Sequence, residues 1–231
     1  MDYVTYFSDL TNHKFEDTNV LKTALTHSSY SNERLYEIPY NERLEFLGDS
    51  VLSLVVSEYL YNRKNGLAEG KMSKMRAKLV CEESLAKCAE KIGLHNYLFL
   101  GKGEEHTGGR NRPSIMADAM EALIAALYLD AGFEKTRDFV LSLLSDEIKY
   151  VLSGNYISDY KTELQEYIQG STKQNIEYEL ISESGPDHNK IFEMCVLLDS
   201  NEVAKGTGRT KKDAQQNAAK ETLIRLGVIN E

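Results

Sequence analysis

The sequence lacks the features that would place it in a membrane or in an oxidising compartment. It has no apolar run as long as about eighteen residues, so we expect no transmembrane helix and no membrane partner. The N-terminal stretch MDYVTYFSDL has neither the basic start nor the apolar core of a signal peptide. The three cysteines are odd in number and show no metal-ligand spacing. We therefore expect a cytoplasmic protein whose thiols are reduced and buried.

The chain also lacks the overall positive charge that is typical of nucleic-acid-binding proteins. Its 231 residues carry a formal net charge of −9, which taken alone argues against nucleic acid. The basic residues are nevertheless clustered, with one group at residues 71–78 and another at residues 205–220. Screening limits the field of a charge to about 8 Å, so local charge decides whether phosphate can be held. The group at 71–78 fits a solvated helix face and a ridge along a nucleic-acid backbone equally well.

The pattern of apolar residues changes once along the chain. Up to about Val151 they recur at helical spacing, and the remainder reads as helix, three strands and helix. The strand segments are IEYELISE, KIFEMCVLL and EVAKGTGR, and the change falls at the polar stretch SGNYIS. We predict a multidomain chain: an all-α domain at residues 1–153, a short linker at 154–158, and a small α+β domain of order α-β-β-β-α at 159–231.

Residues 41–50, NERLEFLGDS, place three acids, Glu42, Glu45 and Asp49, at the start of an apolar stretch that continues as VLSLVVSEYL. Helical spacing predicts an amphipathic helix whose apolar face comprises Leu44, Leu47, Val51, Leu54 and Val55. Glu45 and Asp49, four residues apart, head a second stripe that continues as Leu52 and Val56. Acids on a helix normally lie on a wet face, and a stripe that turns apolar is unusual.

A second acid pair lies in SIMADAMEALIAALYLDAG, where Asp118 and Glu121 are three residues apart and share a helix face. Neither helix supplies a Lys or Arg four residues on to neutralise its pair. Each pair taken alone is also what an ordinary solvated surface carries. Two carboxylates about 6 Å apart in a partly buried setting repel by roughly 3 kcal/mol, so four converging groups need protons or cations.

Four carboxylates without histidine or cysteine offer only oxygen ligands. Such a set suits Mg²⁺ or Mn²⁺ rather than zinc. Divalent ions held there can activate water and stabilise a leaving oxygen in phosphodiester hydrolysis. The residues therefore predict a metal-dependent site for phosphoryl chemistry.

With these motifs in hand, the chain resembles bacterial ribonuclease III over nearly its whole length. NERLEFLGDS is similar to the signature helix of that family, and ADAMEALIAALYLDAG to its second catalytic helix. ALTHSSY and GGRNRPSIMAD also match, and the C-terminal part resembles the family's double-stranded-RNA-binding domain. The resemblance implies a homodimer that cleaves double-stranded RNA with Mg²⁺, for which Mn²⁺ can substitute. It further implies 5′-phosphate and 3′-hydroxyl ends, short 3′ overhangs, and a role in processing ribosomal, messenger and other structured RNA.

The resemblance also implies roles for individual residues. The metal-binding and catalytic carboxylates would be Glu45, Asp49, Asp118 and Glu121. Of these, Asp49 and Glu121 would be most directly tied to hydrolysis. Glu42 and Glu69 would be accessory acids near the RNA or the subunit interface. Phe46 would insert into the partner subunit, and the alternative is that it packs in the core.

Three regions of the predicted C-terminal domain suit duplex RNA, which is held by contacts in two minor grooves and by phosphate contacts between them. The first helix carries polar residues at helical spacing, namely Thr162, Gln165, Glu166 and Gln169. The turn that contains His188 is long enough to reach a second minor groove. Lys211 and Lys212 stand at a helix N-terminus, where charge and dipole both favour phosphate. The alternative for these two lysines is a solvated surface.

Two other functions compete with the nuclease. A non-cleaving, dimeric RNA-binding regulator would normally have lost one of the four acids, and all four are present. A helical nucleotide phosphohydrolase usually has adjacent His and Asp ligands, and none of the five histidines is followed by aspartate. We expect His27 to hydrogen-bond a neighbouring helix rather than to catalyse. The glycine-rich segment 100–114 predicts a loop, in which Arg110 and Arg112 have no assigned role.

Overall fold

The computed structural model describes residues 2–34, 38–63, 66–153, 160–172, 174–186 and 190–229. The chain divides into two compact units, Met1–Ser153 and Gly154–Glu231, called here the first and the second unit. The predicted linker at 154–158 lies outside the described residues. None of the described helices has the length and apolar character needed to cross a membrane.

The first unit is built from helices. Their bounds are α1 (Tyr3–Thr11), α2 (Thr18–Ala24), α3 (Ser28–Asn32), α4 (Glu42–Tyr61), α5 (Glu69–Leu79), α6 (Glu82–Lys91), α7 (Lys102–His106), α8 (Pro113–Ala131), α9 (Phe133–Leu143) and α10 (Ser145–Leu152). Short 3₁₀ turns lie at Leu94–Tyr97 and Gly109–Asn111. The predicted all-helical character is confirmed.

Helix α8 is the centre of the first unit. It begins at a proline, whose fixed φ and missing N–H suit the first helical position. From Ile115 to Leu127 nearly every side chain is buried, because α4, α6, α9 and α2 pack around it. Over this range the helix has no face that is fully exposed to solvent, so the acids Asp118 and Glu121 lie among buried apolar neighbours.

The crossing of α4 and α8 depends on Gly48. A Cβ atom at this position would lie 1.9 Å from the backbone oxygen of Glu121, well inside any allowed contact. Glycine therefore lets the two helix backbones touch at the level of the acid pairs. Burial of Leu52 and Val56 on α4 continues the contact along the helix.

The second unit is an antiparallel sheet with two helices. It comprises α11 (Tyr160–Ser171), β1 (Ile176–Ser184), β2 (Ile191–Leu198), β3 (Asn201–Gly208) and α12 (Lys211–Arg225). The strand order is β1-β2-β3, with β2 in the centre. Both helices contribute to one core, whose buried members are Leu164, Ile168, Val196, Leu198, Ala218, Ala219 and Leu223. The predicted α-β-β-β-α order is confirmed.

Two local features fix helix α12 on the sheet. Thr210 caps its N-terminus, accepting from the backbone N–H of Asp213 at 3.1 Å and donating to the Asp213 carboxylate at 2.8 Å. Gly206 on β3 lies so close to α12 that a Cβ there would be 2.1 Å from the backbone nitrogen of Ala218. The start of α12, with Lys211 and Lys212, is thereby held in place over the sheet.

Candidate active site

The crossing of α4 and α8 brings the two acid pairs together. The pKa of Glu121 is raised to about 8, first by burial and then by the carboxylates of Asp49, Glu45 and Asp118. The pKa of Glu45 is also raised, first by burial and then by Asp118 and Glu42. Carboxylates on each helix thus raise the pKa of an acid on the other helix, across the α4–α8 contact. The four groups that the sequence singled out form one cluster.

These carboxylates lack neutralising partners. Glu45, Asp118 and Glu121 are half-buried, whereas Asp49 is exposed to solvent. Among the residues that the structure describes, no lysine or arginine forms an ion pair with any of the four. Repulsion within the cluster is therefore not offset by a lysine or arginine, and protons, water or an added cation would relieve it.

The cluster fits a hard divalent cation by the chemistry of its donors. Carboxylate oxygens are the preferred ligands of Mg²⁺, which usually keeps several waters and takes only one or two protein carboxylates. Burial and mutual repulsion raise the pKa values of Glu45, Asp118 and Glu121, and a bound cation would offset that repulsion. In the described part of the chain, no three His, Cys, Asp or Glu side chains are arranged as a ready-made metal cage. The suitability of the cluster for a divalent cation therefore rests on its oxygen donors and on its negative charge.

Two further acids lie beside Asp118, and one of them was missed by the sequence reasoning. After burial, Glu82 and Glu42 both raise the pKa of Asp118. Glu42 was expected as an accessory acid. Glu82 was not, although it begins α6 and heads a stripe of buried Leu85 and Ala89, much as Glu45 heads one on α4. That pattern was the available signal.

Glu69, the other expected accessory acid, is not brought to this cluster in the described protomer. It lies exposed at the start of α5, where its carboxylate accepts a hydrogen bond from Ser73 Oγ at 2.7 Å. It does not contribute to the pKa shifts of Glu45, Asp118 or Glu121. Its accessory role stays a prediction.

His27 has a local structural role. Its Nδ1 accepts from the backbone N–H of Ser29 at 3.3 Å and lies 2.8 Å from Ser29 Oγ, so it caps α3. The hydroxyl of Ser29 in turn accepts from the N–H of Gly101 at 2.9 Å. His27 also lowers the pKa of Asp118. The predicted hydrogen bond from His27 to a neighbouring helix is wrong, because its ring contacts Ser29 of α3, the helix that it caps. His27 also lies near the carboxylates.

The segment 100–114 is partly helical, which corrects the expectation of a loop. It contains α7 and the 3₁₀ turn Gly109–Asn111. Arg110 pairs with Glu105, with Nε 2.7 Å from Oε1, and also donates to the carbonyl of His95. Arg112 pairs with Glu104 at 2.7 Å. Both arginines therefore form contacts within the chain, in the segment that leads into α8.

The basic cluster at residues 71–78 is partly tied down as well. Arg76 donates to Ser57 Oγ at 3.0 Å, and Lys78 lies 3.4 Å from the carboxylate of Glu83. Both contacts are made to residues of the first unit, at Ser57 on α4 and Glu83 on α6.

Helix α4 presents a second functional feature on the side next to the acids. Phe46, Leu54 and Tyr61 are 79%, 57% and 78% exposed and lie within one quadrant of the helix. Exposure of Phe46 excludes the alternative that it packs in the core of the protomer. The exposure of Leu54 corrects its predicted place on the face with Val51 and Val55, both of which are buried. Large apolar side chains exposed together mark an interaction surface.

The predicted RNA-contacting residues that are described lie at the surface of the second unit. On α11 the exposed polar residues are Thr162, Gln165, Glu166 and Gln169. Lys211 and Lys212 are exposed at the N-terminus of α12, and the Nζ of Lys211 lies 5.8 Å from the ring centroid of Phe192. His188 falls outside the described residues.

The cluster of carboxylates predicts a pH-dependent stability for the metal-free protein. The pKa of Glu121 in the folded protein, about 8, lies above the ordinary value of 4.5, so folding is favoured while Glu121 is protonated. This contribution is fully present below the unfolded pKa and is lost as the pH rises through about 8. With allowance for partial exposure, Glu121→Gln should stabilise the metal-free protein by about 1 to 3 kcal/mol at pH 9.

Urea unfolding in EDTA at pH 4 and at pH 9 would check this expectation. The variant and the parent should have similar free energies of unfolding at pH 4 and should diverge at pH 9. Equal stability at both values would contradict the burial and repulsion assigned to Glu121.

Comparison with known proteins identifies both units. The Ribonuclease-III-like family pattern matches residues 17–148, and the double-stranded RNA binding motif matches residues 160–226. Ribonuclease 3 of Caldanaerobacter subterraneus subsp. tengcongensis is 52% identical over 98% of this chain and 99% of its own length. Ribonuclease 3 of Clostridium perfringens is 48% identical over 94% of this chain and 91% of its own length.

Solved structures agree for the first unit. The nuclease domain of ribonuclease III from Campylobacter jejuni is 43% identical with a TM-score of 0.58, and the match covers 62% of this chain and 96% of that domain. A second structure of that domain, at 2.2 Å resolution, is 40% identical with a TM-score of 0.57 and covers 64% and 97%. In the first of these structures, the region involved in dimer formation shows structural flexibility. This chain belongs to the ribonuclease III family, a family of endoribonucleases.

Proposed function

We propose that this endoribonuclease hydrolyses double-stranded RNA in a reaction that depends on Mg²⁺ bound by Glu45, Asp49, Asp118 and Glu121. The observation that carries the proposal is the meeting of these four unpaired carboxylates at the α4–α8 crossing. A double-stranded RNA binding motif in the same chain supplies the substrate class. Mn²⁺ is expected to substitute, because it accepts the same oxygen ligands.

The chain's own groups have distinct tasks in this reaction. Bound Mg²⁺ would activate water and stabilise the leaving oxygen. Asp49 is exposed and so open to the substrate, while the burial of Glu121 keeps it fixed and gives it the greatest need of a cation. Glu42 and Glu82 add negative charge beside Asp118 and raise the local concentration of cations. Cleavage is proposed to leave 5′-phosphate and 3′-hydroxyl ends with short 3′ overhangs.

We place catalysis in residues 1–153 and duplex binding in residues 159–231, joined by the linker at 154–158. The exposed polar groups of α11 suit minor-groove hydroxyls, and the lysines at the start of α12 suit phosphate. His188 is proposed to reach the second minor groove. The natural role is proposed to be the processing of ribosomal, messenger and other structured RNA in the cytoplasm. Three free cysteines agree with a reducing compartment.

The test is cleavage of a long, perfect RNA duplex by the purified chain, with Mg²⁺ and with EDTA. Single-stranded RNA and duplex DNA serve as controls. Cutting of the RNA duplex alone, and only with the metal, is the expected result. Binding of the duplex without cutting in Mg²⁺ or Mn²⁺ would instead indicate a non-cleaving regulator.

We also propose a homodimer formed through the first unit. The exposed side chains of Phe46, Leu54 and Tyr61 give α4 an apolar stripe beside the acids, which a second copy would bury. Glu69 is proposed to act near this interface or the RNA. A duplex has two strands, so two sites on one dimer would allow both to be cut.

Phe46→Ser is expected to weaken the dimer. Burying a phenylalanine contributes about 2 to 3 kcal/mol, which corresponds to a factor of about 30 to 150 in the dimer dissociation constant for each subunit that carries the substitution. Both subunits of the variant carry it, so the total rise should be larger still. Analytical ultracentrifugation measures it directly. Tyr150→Ser removes another exposed aromatic side chain, on α10, and serves as the matched control that should dimerise like the parent. A monomeric parent, or an unaltered Phe46→Ser dimer, would refute this interface.

A further inference from the structure

Lys161, at the start of α11, joins three elements of the second unit. Its backbone N–H donates to Gln216 Oε1 at 3.1 Å, and its Nζ donates to Gln215 Oε1 at 3.0 Å. The same Nζ lies 4.7 Å from the ring centroid of Tyr178 on β1. One half-buried residue therefore ties α11 to both β1 and α12.

This arrangement is unusual for a lysine. An ammonium group is strongly hydrated, and fixing its long side chain costs rotamer entropy. Lys161 offsets that cost with a carbonyl acceptor on one side and an aromatic face on the other. Its amine is held within the unit by two contacts, and the residue is half-buried, whereas Lys211 and Lys212 are exposed.

The position of Lys161 connects the two proposed RNA-contacting regions. It directly precedes Thr162, the first exposed polar residue of the α11 face. Its partner Gln215 lies one turn beyond Lys211 on α12, on the same side of that helix. The contact thus spans from the polar face of α11 to the basic start of α12.

We propose that Lys161 is a positioning residue for duplex RNA: it fixes the spacing between the polar face of α11 and the lysines of α12. The inference rests on the proposed function, since it takes duplex RNA as the ligand. A duplex presents minor-groove hydroxyls and major-groove phosphates at a set separation. A protein surface that already holds this separation loses less entropy when it binds.

The test is Lys161→Met in the full-length chain, because methionine keeps an unbranched apolar stem and removes the charge and the donor. Affinity for a perfect RNA duplex is measured in EDTA by fluorescence anisotropy over a range of salt concentrations. The dissociation constant should rise about five- to tenfold. The slope of log affinity against log salt should stay the same, because the Lys161 amine neutralises no phosphate.

Three further variants separate positioning from other roles. Lys161→Arg should restore most of the affinity, since a guanidinium can donate to Gln215 and lie over Tyr178. Gln215→Leu should weaken binding, and combining it with Lys161→Met should add little further loss. Lys212→Met is the contrast: it should lower the magnitude of the salt slope by about one. Circular dichroism at the assay temperature verifies that each variant is folded.

The outcomes decide the proposal. An unchanged affinity for Lys161→Met, with duplex binding by the parent intact, would overturn the positioning role and leave the proposed function standing. A salt slope reduced by about one would also overturn it, because Lys161 would then contact phosphate. Additive losses for Lys161→Met and Gln215→Leu would show that the two residues act independently and would overturn it too. Failure of the parent to bind duplex RNA would refute the proposed function itself.

Discussion

Glu121→Gln is expected to lower the cleavage of duplex RNA by about a thousandfold while leaving duplex binding within about twofold. Glutamine has nearly the shape of the protonated acid and keeps the buried packing of α8. It cannot carry the negative charge that holds a divalent cation. Burial and the neighbouring carboxylates raise the pKa of Glu121, so its negative charge depends most on a bound cation. Glu121→Gln removes that charge from the cluster.

The matched control is Glu134→Gln. Glu134 is an exposed acid at the start of α9 that pairs with Arg137 at 2.7 Å, away from the carboxylate cluster. The control loses the same charge and should cleave like the parent. Single-turnover cleavage in saturating Mg²⁺ and anisotropy in EDTA give the two readouts. Near-normal cleavage by Glu121→Gln would refute the carboxylate site, and a parallel loss of binding would show that the substitution disturbs more than catalysis.

Helical and strand periodicity predicted most of the fold, because the sides of these elements that are buried within one unit read directly as spacing. Leu52 and Val56 are buried as expected on α4. Leu54 is the instructive exception. Apolar spacing does not distinguish a face that is buried within the protomer from one that a second copy would cover, so its 57% exposure was not foreseen.

The segment 100–114 was misjudged for a different reason. Its glycines predict a loop, whereas part of the segment is helical and α8 already begins at Pro113. Helix α7 forms because the carboxylate of Glu33 accepts from the backbone N–H groups of Lys102 and Gly103, at 2.9 and 3.2 Å. A contact made between residues so far apart in the chain leaves no local pattern to read.

The candidate site was predictable in kind and incomplete in membership. Two acid pairs on apolar helices identified the four carboxylates, because no basic residue was spaced to neutralise them. Glu82 does not fit this pattern, because no second acid lies three or four residues away from it on its helix. Tertiary packing of α6 on α8 then brought it beside Asp118.

Gly48→Ala is expected to destabilise the first unit by about 2 to 4 kcal/mol. Alanine is the better helix former, so propensity alone would favour the change by about 1 kcal/mol. Packing decides the sign here: the added methyl group would lie 1.9 Å from the backbone oxygen of Glu121 and 2.4 Å from its carbonyl carbon. Both are backbone atoms of a buried helix, so no side chain can rotate away, and α4 and α8 must separate.

Separation of these helices should damage catalysis beyond the loss of stability. Asp49 belongs to α4 and Glu121 to α8, so moving the helices apart also moves these two carboxylates apart. A shift of about 1 Å can cost about a hundredfold in rate. Gly70→Ala is the control for stability, because a Cβ at that helical position meets nothing within 4 Å. Denaturant unfolding and single-turnover cleavage, both at a temperature where the variant is folded, give the readouts. A Gly48→Ala protein as stable and as active as the parent would show that the helices do not touch at this glycine, and the convergence of the acid pairs would lose its structural basis.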